Sequence, residues 1–463
     1  MLLLRGFACS GLKINLSFYT NNFFLMNNHR LLAGVLVAAL LGDGVCAYGK
    51  RRMLGLDELF ATAEVNSVQL RPYFTAENEA SHEIRVARNA RLPEINASLS
   101  ASYIGNGFIT KRNFTGYEKA PIPHLGDGFS INVTQPLYSG GAIKSGIEIA
   151  ELKSTATRYA TEFQRDNIRF RLTGFYLDLY KYSNLRMVVE KNIEQARQVL
   201  AEMHARFAEG VALQNDITRY ELLVSNLELE LIRIDNTLDI LNHNLVVTAG
   251  LPSDTEVEPD STLLLRSLPS YGEEWWQNEA ALNAPALKLA HTGVDINRKA
   301  EKLTRSERLP KIGLQAAWTI DGPILVEVPP INRNLSYWYV GIGISYNLSS
   351  LYKTNKTLSR SREATRKSID ELEAARENLN LNIRADYVRY LEAYAELKTR
   401  AKSVELAERN YSVTSTRYSA DMALITDMLD AANSKLDAEQ QLVNARINII
   451  YYYYKLLFTS GKI

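Results

Sequence analysis

The sequence predicts an α+β membrane protein in which four β-strands and long coiled-coil α-helices are arranged as an internal duplication. Three observations support this prediction. Four short segments alternate apolar and small polar residues with a period of two, which is typical of strands. Two segments of about 65 residues contain no proline and favour helix. Motifs of the first half also recur in the second half at a nearly constant offset.

The composition gives little support to an enzyme or a nucleic-acid-binding protein. The chain of 463 residues has a formal net charge of +1, so it lacks the basic excess that nucleic acid would require. Both cysteines, Cys9 and Cys46, lie in the targeting segment described next. The six histidines are scattered singly, and no phosphate-binding glycine loop is present. We therefore expect no catalytic site, no metal and no other cofactor.

Residues 1–47 are typical of a signal region. A polar, positive start at Met26 precedes an apolar run over residues 31–41, which is too short to span a bilayer. Met26 is a plausible true start, and small residues around Cys46 fit a cleavage site. A lipidated Cys46 is the alternative, although the valine before it fits that pattern poorly. No other apolar run is long enough for a transmembrane helix, so we expect strands to cross the membrane.

The first repeat is predicted to span residues 48–250. A helix over residues 56–88 leads into a β-hairpin at 93–138. One face of this hairpin is apolar, and the other is small, neutral and hydrophilic, which suits the lining of a water-filled tube. The apolar face contains Ile95, Ala97, Leu99, Ala101, Tyr103, Phe129, Ile131 and Val133, and the polar face contains Asn96, Ser98, Ser100, Ser102, Ser130, Asn132 and Thr134.

Two helices separated by a turn complete this repeat. The first, over residues 142–207, would be roughly 100 Å long at 1.5 Å per residue, too long for a single globular core. The second, over residues 217–247, has apolar residues every seven positions with a second set between them, which is the pattern of a coiled coil. Residues 251–274 are predicted to form an irregular linker.

The second repeat, residues 275–463, copies this order. A hairpin at 310–348, a long helix over residues 352–418 and a final helix to residue 458 follow one another. Up to the first strand of each hairpin, residues of the first repeat recur 217 positions later in the second. In the later helices this offset is 211 positions. The matched pairs are Asn66 with Asn283, Arg91 with Arg308, Pro93 with Pro310, Thr248 with Thr459, and Gly250 with Gly461.

Four strands cannot close a barrel, because the smallest membrane barrels have about eight. An open sheet edge in lipid would leave backbone groups unsatisfied, at a cost of several kcal/mol each. Two copies would give eight strands, whose interior is filled by side chains, whereas three copies would give twelve strands and room for water. The small, uncharged inward residues favour the wider tube, so we expect a homotrimer.

The duplicated plan resembles that of the TolC-like outer membrane efflux proteins over essentially all of the chain after the signal region. The best local matches are residues 206–216, residues 417–431 and the strand-to-helix junction at 135–141. The resemblance implies a trimer with a 12-stranded β-barrel in the outer membrane of a Gram-negative bacterium and a periplasmic α-barrel. It also implies export of drugs or proteins together with a periplasmic adaptor protein and an inner-membrane pump.

The resemblance also implies roles for residues near the second turn. Asp427 and Asp430 fall on the two positions whose carboxylates ring the narrow end of the channel, and three copies would bring six carboxylates together. Crowded like charges raise one another's pKa and attract cations. The alternative is that Asp427 caps a helix and Asp430 lies in its first turn.

Asp216 and Tyr418 match a pair that latches the closed tip in the family. Alternatively, Asp216 is an N-cap and Tyr418 a packing aromatic residue. The family's latch arginine corresponds to Ala423 here, and Asn215 occupies the partner position, so we expect fewer locking contacts.

The turns themselves are where the family meets its adaptor, which implies a contact surface made of Gly210, Val211, Ala212, Leu213, Asp421, Met422, Ala423 and Leu424. These residue types are also common in turns for conformational reasons. Besides an outer membrane conduit, the sequence leaves open a structural or adhesive trimeric coiled-coil surface protein without a pore. A hairpin cap on such a protein would not require four apolar strand faces with aromatic ends.

Overall fold

Two consecutive sets of helices and strands follow the same order along the chain. The computed structural model describes residues 51–260, 268–269, 271–327 and 329–463. The expected signal region 1–47, with Met26 and Cys46, lies outside these residues.

The first set runs from Arg51 to Ala249. Its elements are β1 Arg51–Leu54, α1 Leu56–Asn66, α2 Arg71–Asn89, β2 Glu94–Tyr103, β3 Gly107–Ile109, β4 Glu118–Ala120, β5 Leu125–Tyr138, α3 Ala142–Ala208 and α4 Gln214–Ala249. The helix expected over residues 56–88 is thus two helices. Pro72 lies in the first turn of α2, where its missing N–H costs nothing, so a new helix begins there.

The second set contains β6 Glu256–Pro259, α5 Glu273–Asn283, α6 Pro285–Ser306, β7 Lys311–Gly322, β8 Leu335–Ser345, α7 Ser350–Ser419 and α8 Ile425–Thr459. Residues 251–274 are therefore not irregular throughout. β6 pairs in parallel with β1. Tyr176, a buried residue of α3, forms hydrogen bonds at the ends of both strands. Its hydroxyl donates to the carbonyl of Leu54 at 2.9 Å and accepts the N–H of Asp260 at 2.6 Å.

The four long strands form one antiparallel sheet in the order β2-β5-β7-β8. Its register keeps the two predicted faces separate from strand to strand. Ile95 lies opposite Val133, Val133 opposite Ala316, and Ala316 opposite Val340, so one row is apolar. The neighbouring rows on the other face are small or polar, as in the pair of Ser98 and Ser130, whose hydroxyls lie 2.8 Å apart. The sheet is therefore two-faced across all four strands.

The helices pack as two hairpins, α3 with α4 and α7 with α8. The predicted heptad residues Ile217, Val224, Leu227 and Ile234 are buried and join Val189 of α3 in one core. α3 also packs against α6 of the second set, so the two repeats share helix contacts. Among the described helices, none combines the length and the apolar composition needed to cross a bilayer.

The duplication is visible in one repeated contact. Gly250 ends α4 and Gly461 follows α8, each with a φ of 71°. A Cβ on Gly250 would lie 2.6 Å from the carbonyl oxygen of Asn66, and one on Gly461 would lie 2.8 Å from that of Asn283. Both repeats therefore require glycine for the same two reasons, the left-handed backbone and the close approach of a neighbouring chain segment.

Candidate functional site at the two helix turns

The turns between α3 and α4 and between α7 and α8 have the same backbone geometry. Gly210 has a φ of 79° and Asp421 has a φ of 58°. The N–H of Val211 donates to the carbonyl of Arg206 at 3.0 Å, and that of Met422 donates to the carbonyl of Arg417 at 2.8 Å. These bonds close a helix end after one left-handed residue. Aspartate adopts this left-handed conformation more readily than most residues, which explains why Asp421 can occupy the position that Gly210 has in the first repeat.

Arg206 joins the two turns. Its guanidinium forms an ion pair with Asp421 and donates to the backbone carbonyls of Tyr418 and Ser419, each at 3.3 Å. It also lies over the ring of Tyr418, 5.6 Å from the centroid. The guanidinium is largely buried, whereas Asp421 is exposed. The sequence showed Arg206 only as part of a turn motif, and nothing in its local pattern indicated a partner in the other repeat.

The predicted latch residues come together only in part. Burial raises the pKa of the Tyr418 phenol, the nearby charge of Asp216 raises it further, and Arg206 lowers it. Asp216 and Tyr418 are half-buried. Among the contacts of the described residues, no hydrogen bond joins Asp216 to the Tyr418 hydroxyl, and Asn215 is exposed in the first turn of α4. Tyr418 is instead held through Arg206.

The predicted constriction residues lie in the first two turns of α8. The carboxylate of Asp427 accepts the backbone N–H of Leu424 at 3.1 Å, so this residue does cap the helix. Both Asp427 and Asp430 are exposed in the single chain. Capping uses one carboxylate oxygen of Asp427, which leaves the other oxygen and the whole Asp430 carboxylate accessible.

Both turns also present apolar side chains to solvent. Val211, Leu213, Met422 and Leu424 are all more than half exposed. They stand at matching positions of the two repeats, on either side of Ala212 and Ala423. The turns therefore form two similar apolar knobs.

A buried polar cluster that the sequence did not reveal lies further along the same helices. Lys435 of α8 donates to Gln195 of α3 at 2.6 Å, lies 3.8 Å from Glu439, and sits 5.0 Å from the ring centroid of Tyr411 of α7. Asn192 of α3 donates to Glu439 at 2.8 Å. The side chains of Lys435 and Glu439 are only 7% and 12% exposed, so this cluster ties three helices together away from water.

Comparison with known proteins identifies the family. A family model described as outer membrane efflux protein matches the chain over residues 59–250 and 276–451. The chain belongs to the outer membrane efflux protein family. Each matched segment falls within one of the two structural repeats, so the duplication, the fold class and the resemblance predicted from the sequence are confirmed.

Individual relatives of this efflux protein are distant. It is 22% identical over 399 residues to the outer membrane protein TolC of Vibrio cholerae, which covers 85% of this chain and 88% of that protein. It is 23% identical over 421 residues to the pyoverdine export outer membrane protein OpmQ of Pseudomonas aeruginosa, with coverage of 85% and 82%.

Solved structures share its fold. The outer membrane protein VceC of Vibrio cholerae matches with a TM-score of 0.73 at 16% identity, covering 88% of this chain and 96% of that one. The CmeC outer membrane channel of Campylobacter jejuni matches with a TM-score of 0.69 at 12% identity, covering 97% and 94%.

The efflux protein is therefore an outer membrane channel with a long helical periplasmic portion. The expectation of a protein that is not an enzyme is confirmed by its family, and the alternative of a surface protein without a pore is not supported. Among the described residues, no cluster of histidine, cysteine and carboxylate side chains is suited to a metal ion.

Proposed function

We propose that three copies of this chain assemble into a continuous conduit that receives substrates from an inner-membrane pump through a periplasmic adaptor. The observation that supports this proposal is the open sheet. Among the described strands, β2 and β8 each have a partner on one side only, and nearly all of their residues are exposed. In lipid these edges must be paired, and a closed ring of copies pairs every one.

The number of copies follows from the side chains that would face inward. The polar face of the sheet is made mainly of serine, asparagine, threonine and glycine, without charges in its central rows. Such small residues would leave a closed eight-stranded barrel badly packed, whereas twelve strands leave an aqueous channel. The 67-residue α3 and the 70-residue α7 extend this tube on the periplasmic side by roughly 100 Å each.

We assign the gate of this conduit to the helix turns. Asp427 and Asp430, one turn apart on α8, would form two rings of three carboxylates each around the threefold axis. Such rings favour cations and slow the passage of anions. Asp216, Asn215 and Tyr418 would hold the closed state together with Arg206.

The adaptor would bind the two apolar knobs at the turns. Val211, Leu213, Met422 and Leu424 supply exposed apolar area in a twofold repeat, so two identical binding elements could engage one protomer. A groove between α4 and α8, lined by Leu222 and Leu436 among others, continues from the turns along the helices. The substrate class, drugs or other exported molecules, is set by the pump rather than by these residues.

The assembly is tested by mass and by conductance. We expect the detergent-purified protein to have the native mass of three copies and to form ion channels in a planar bilayer. A monomeric mass without conductance would overturn the proposal.

The gate is tested with two sets of substitutions. Asp427→Asn and Asp430→Asn should each reduce cation selectivity, measured as the reversal potential in a salt gradient, whereas the exposed Glu363→Gln on α7 should not. Asp216→Ala and Tyr418→Phe should raise single-channel conductance if they hold the closed state. Unchanged values would remove these residues from the gate.

The adaptor surface is tested by cross-linking in whole cells. A photoreactive residue in place of Gly210 or Asp421 should capture a periplasmic protein of the adaptor class. The same probe at the exposed Glu363 should not. Equal capture at both places would contradict the assignment of the turns.

A further inference from the structure

The two edge strands of the sheet, β2 and β8, are the repeat equivalents of β7 and β5, which already pair with each other inside the chain. β7 repeats β2 at an offset of 217 residues, as Arg308 and Arg91 show. Within the hairpins, Ile95 lies opposite Val133 and Ile312 lies opposite Ile344, so β8 repeats β5 at an offset of 211 residues. β5 already pairs with β7, which is the second strand of one repeat against the first strand of the other.

We infer that β8 of one copy pairs antiparallel with β2 of the next copy in the register that the β5–β7 pair sets. This inference rests on the proposed assembly and adds its contact pattern. Within the chain, Ser130 lies opposite Thr319. Adding 211 to Ser130 of β5 gives Gly341 of β8, and subtracting 217 from Thr319 of β7 gives Ser102 of β2. The predicted pair is therefore Gly341 opposite Ser102 of the partner subunit. The next pair, Asn132 with Ala317, becomes Gly343 opposite Ser100 of the partner subunit.

The side chains agree with this register. Ile342 would lie opposite Ala101 of the partner subunit and Ile344 opposite Leu99 of the partner subunit, so apolar residues meet on the outer face. The inner face would bring Gly341 and Gly343 against two serines. A slip of one residue would place apolar side chains in the channel, because strand side chains alternate. A slip of two residues would leave apolar side chains outside and polar side chains inside. The faces therefore cannot distinguish the inferred register from one shifted by two residues, and only the duplication does.

Packing within the chain shows that small residues suit this seam. In the β2–β5 pair, Ser100 and Ser102 already lie opposite Gly128 and Gly126. A Cβ on either of these glycines would come within 3 Å of the serine hydroxyl. Gly341, in contrast, has no atom within 4 Å of its Cβ position. The serines of β2 would therefore be flanked by glycine on both sides, once within the chain and once across the seam.

The register is tested with a cysteine pair, Ser102→Cys with Gly341→Cys. Residues directly opposite in an antiparallel pair have Cβ atoms about 4.5–5.5 Å apart, whereas diagonal neighbours are about 7–8 Å apart. Within one chain, Gly341 lies in the same row as Glu94, which is three strand spacings from β8 and eight residues along β2 from Ser102. The two positions are therefore far beyond the reach of a disulfide. Any disulfide must therefore join two copies.

Mild oxidation of outer membranes should convert this variant into a reducible species of three chains on denaturing gels. Two controls keep one cysteine and move the other by two residues, Ser100→Cys with Gly341→Cys and Ser102→Cys with Gly343→Cys. We expect at least fivefold less cross-linking from each. Ser130→Cys with Thr319→Cys reproduces the same contact inside one chain and should form a disulfide without joining copies. The parent chain should show no cross-link through Cys9 or Cys46.

The outcomes separate the register from the assembly. Stronger cross-linking by either shifted pair, or none by any pair in a protein of trimeric native mass, would overturn the register and leave the assembly standing. Absence of all cross-links in a protein of monomeric mass would overturn the assembly as well.

Discussion

The guanidinium of Arg206 and the carboxylate of Asp421 form an ion pair between the two helix turns, across 215 residues of sequence. The pair connects the turn of the first repeat to the turn of the second. The resemblance to the family puts Ala423 at the position of the latch arginine, which led us to expect fewer locking contacts. Arg206 provides contacts with the second turn that this expectation did not include.

Removing Arg206 should loosen the tip. Arg206→Met keeps an unbranched apolar stem but removes an ion pair, two backbone hydrogen bonds and the contact of the guanidinium with the Tyr418 ring. We expect a higher single-channel conductance in planar bilayers. Asp421→Gly preserves the left-handed backbone and removes only the ion pair, so its effect should be smaller.

The control for this prediction is Arg197→Met. Arg197 binds Glu228 at 2.6 Å, but both residues belong to the α3–α4 hairpin. Its removal should leave the conductance unchanged. The same increase in both variants would show that Arg206 acts through general helix stability and not by joining the turns.

Lys435→Met should destabilise the helical bundle strongly. Glu439 would keep a buried charge with only Asn192 to bind it, and breaking a buried ion pair in this way costs about 3–5 kcal/mol. Replacing both residues, Lys435→Met with Glu439→Leu, should recover most of the loss, because no charge then remains buried. The readout is thermal unfolding of the detergent-purified protein. The exposed pair Lys367 and Glu371 gives the control, since Lys367→Met should change stability by less than about 0.5 kcal/mol.

Gly250→Ala and Gly461→Ala should each lower the unfolding temperature. Both glycines have φ values of 71°, and an added Cβ would meet a backbone carbonyl at less than 3 Å. We expect a loss of more than 1 kcal/mol for each, because the backbone must shift. Gly174→Ala in α3 is the matched control. Its Cβ meets nothing within 4 Å, so alanine should stabilise the helix by up to about 1 kcal/mol. Equal effects at all three positions would refute the role of the close contact.

Asp166 should make stability depend on pH. Burial raises the pKa of this carboxyl to about 6, although Arg169, Arg165 and Lys288 oppose the shift. A folded-state pKa above the unfolded value means that folding is favoured by protonation. The benefit is complete below pH 3.8 and is lost as the pH rises through 6.

Asp166→Asn should therefore stabilise the protein at pH 8 by roughly 1–3 kcal/mol, and the gain should shrink towards pH 4. Thermal unfolding in detergent across this pH range measures the difference. As a control, Glu363→Gln at an exposed position of α7 should change the stability by less than about 0.5 kcal/mol. A constant difference between Asp166→Asn and the parent protein at all pH values would contradict the raised pKa.

Much of the fold follows directly from local sequence. The alternation from Ile95 to Tyr103 determines both the strand and its two faces, because side chains of a strand point to opposite sides in turn. Proline-free stretches with heptads, such as that containing Ile217 and Val224, determine the coiled-coil helices. Residues that recur at a fixed offset, such as Gly250 and Gly461, indicate the duplication. For the strands and the helices, the residues that determine the structure lie within or next to the element itself.

Other features required the tertiary structure. The contacts of Arg206 with Asp421 and of Lys435 with Gln195 join residues more than 200 positions apart, and an exposed or a buried cation looks the same in the sequence. β1 and β6 are four residues each, and their pairing depends on Tyr176 and on a neighbour 205 residues away. The sequence by itself determined which faces are apolar and which segments repeat, because local alternation and composition set these. Only the tertiary structure decided which polar groups meet, because that depends on how the two repeats pack against each other.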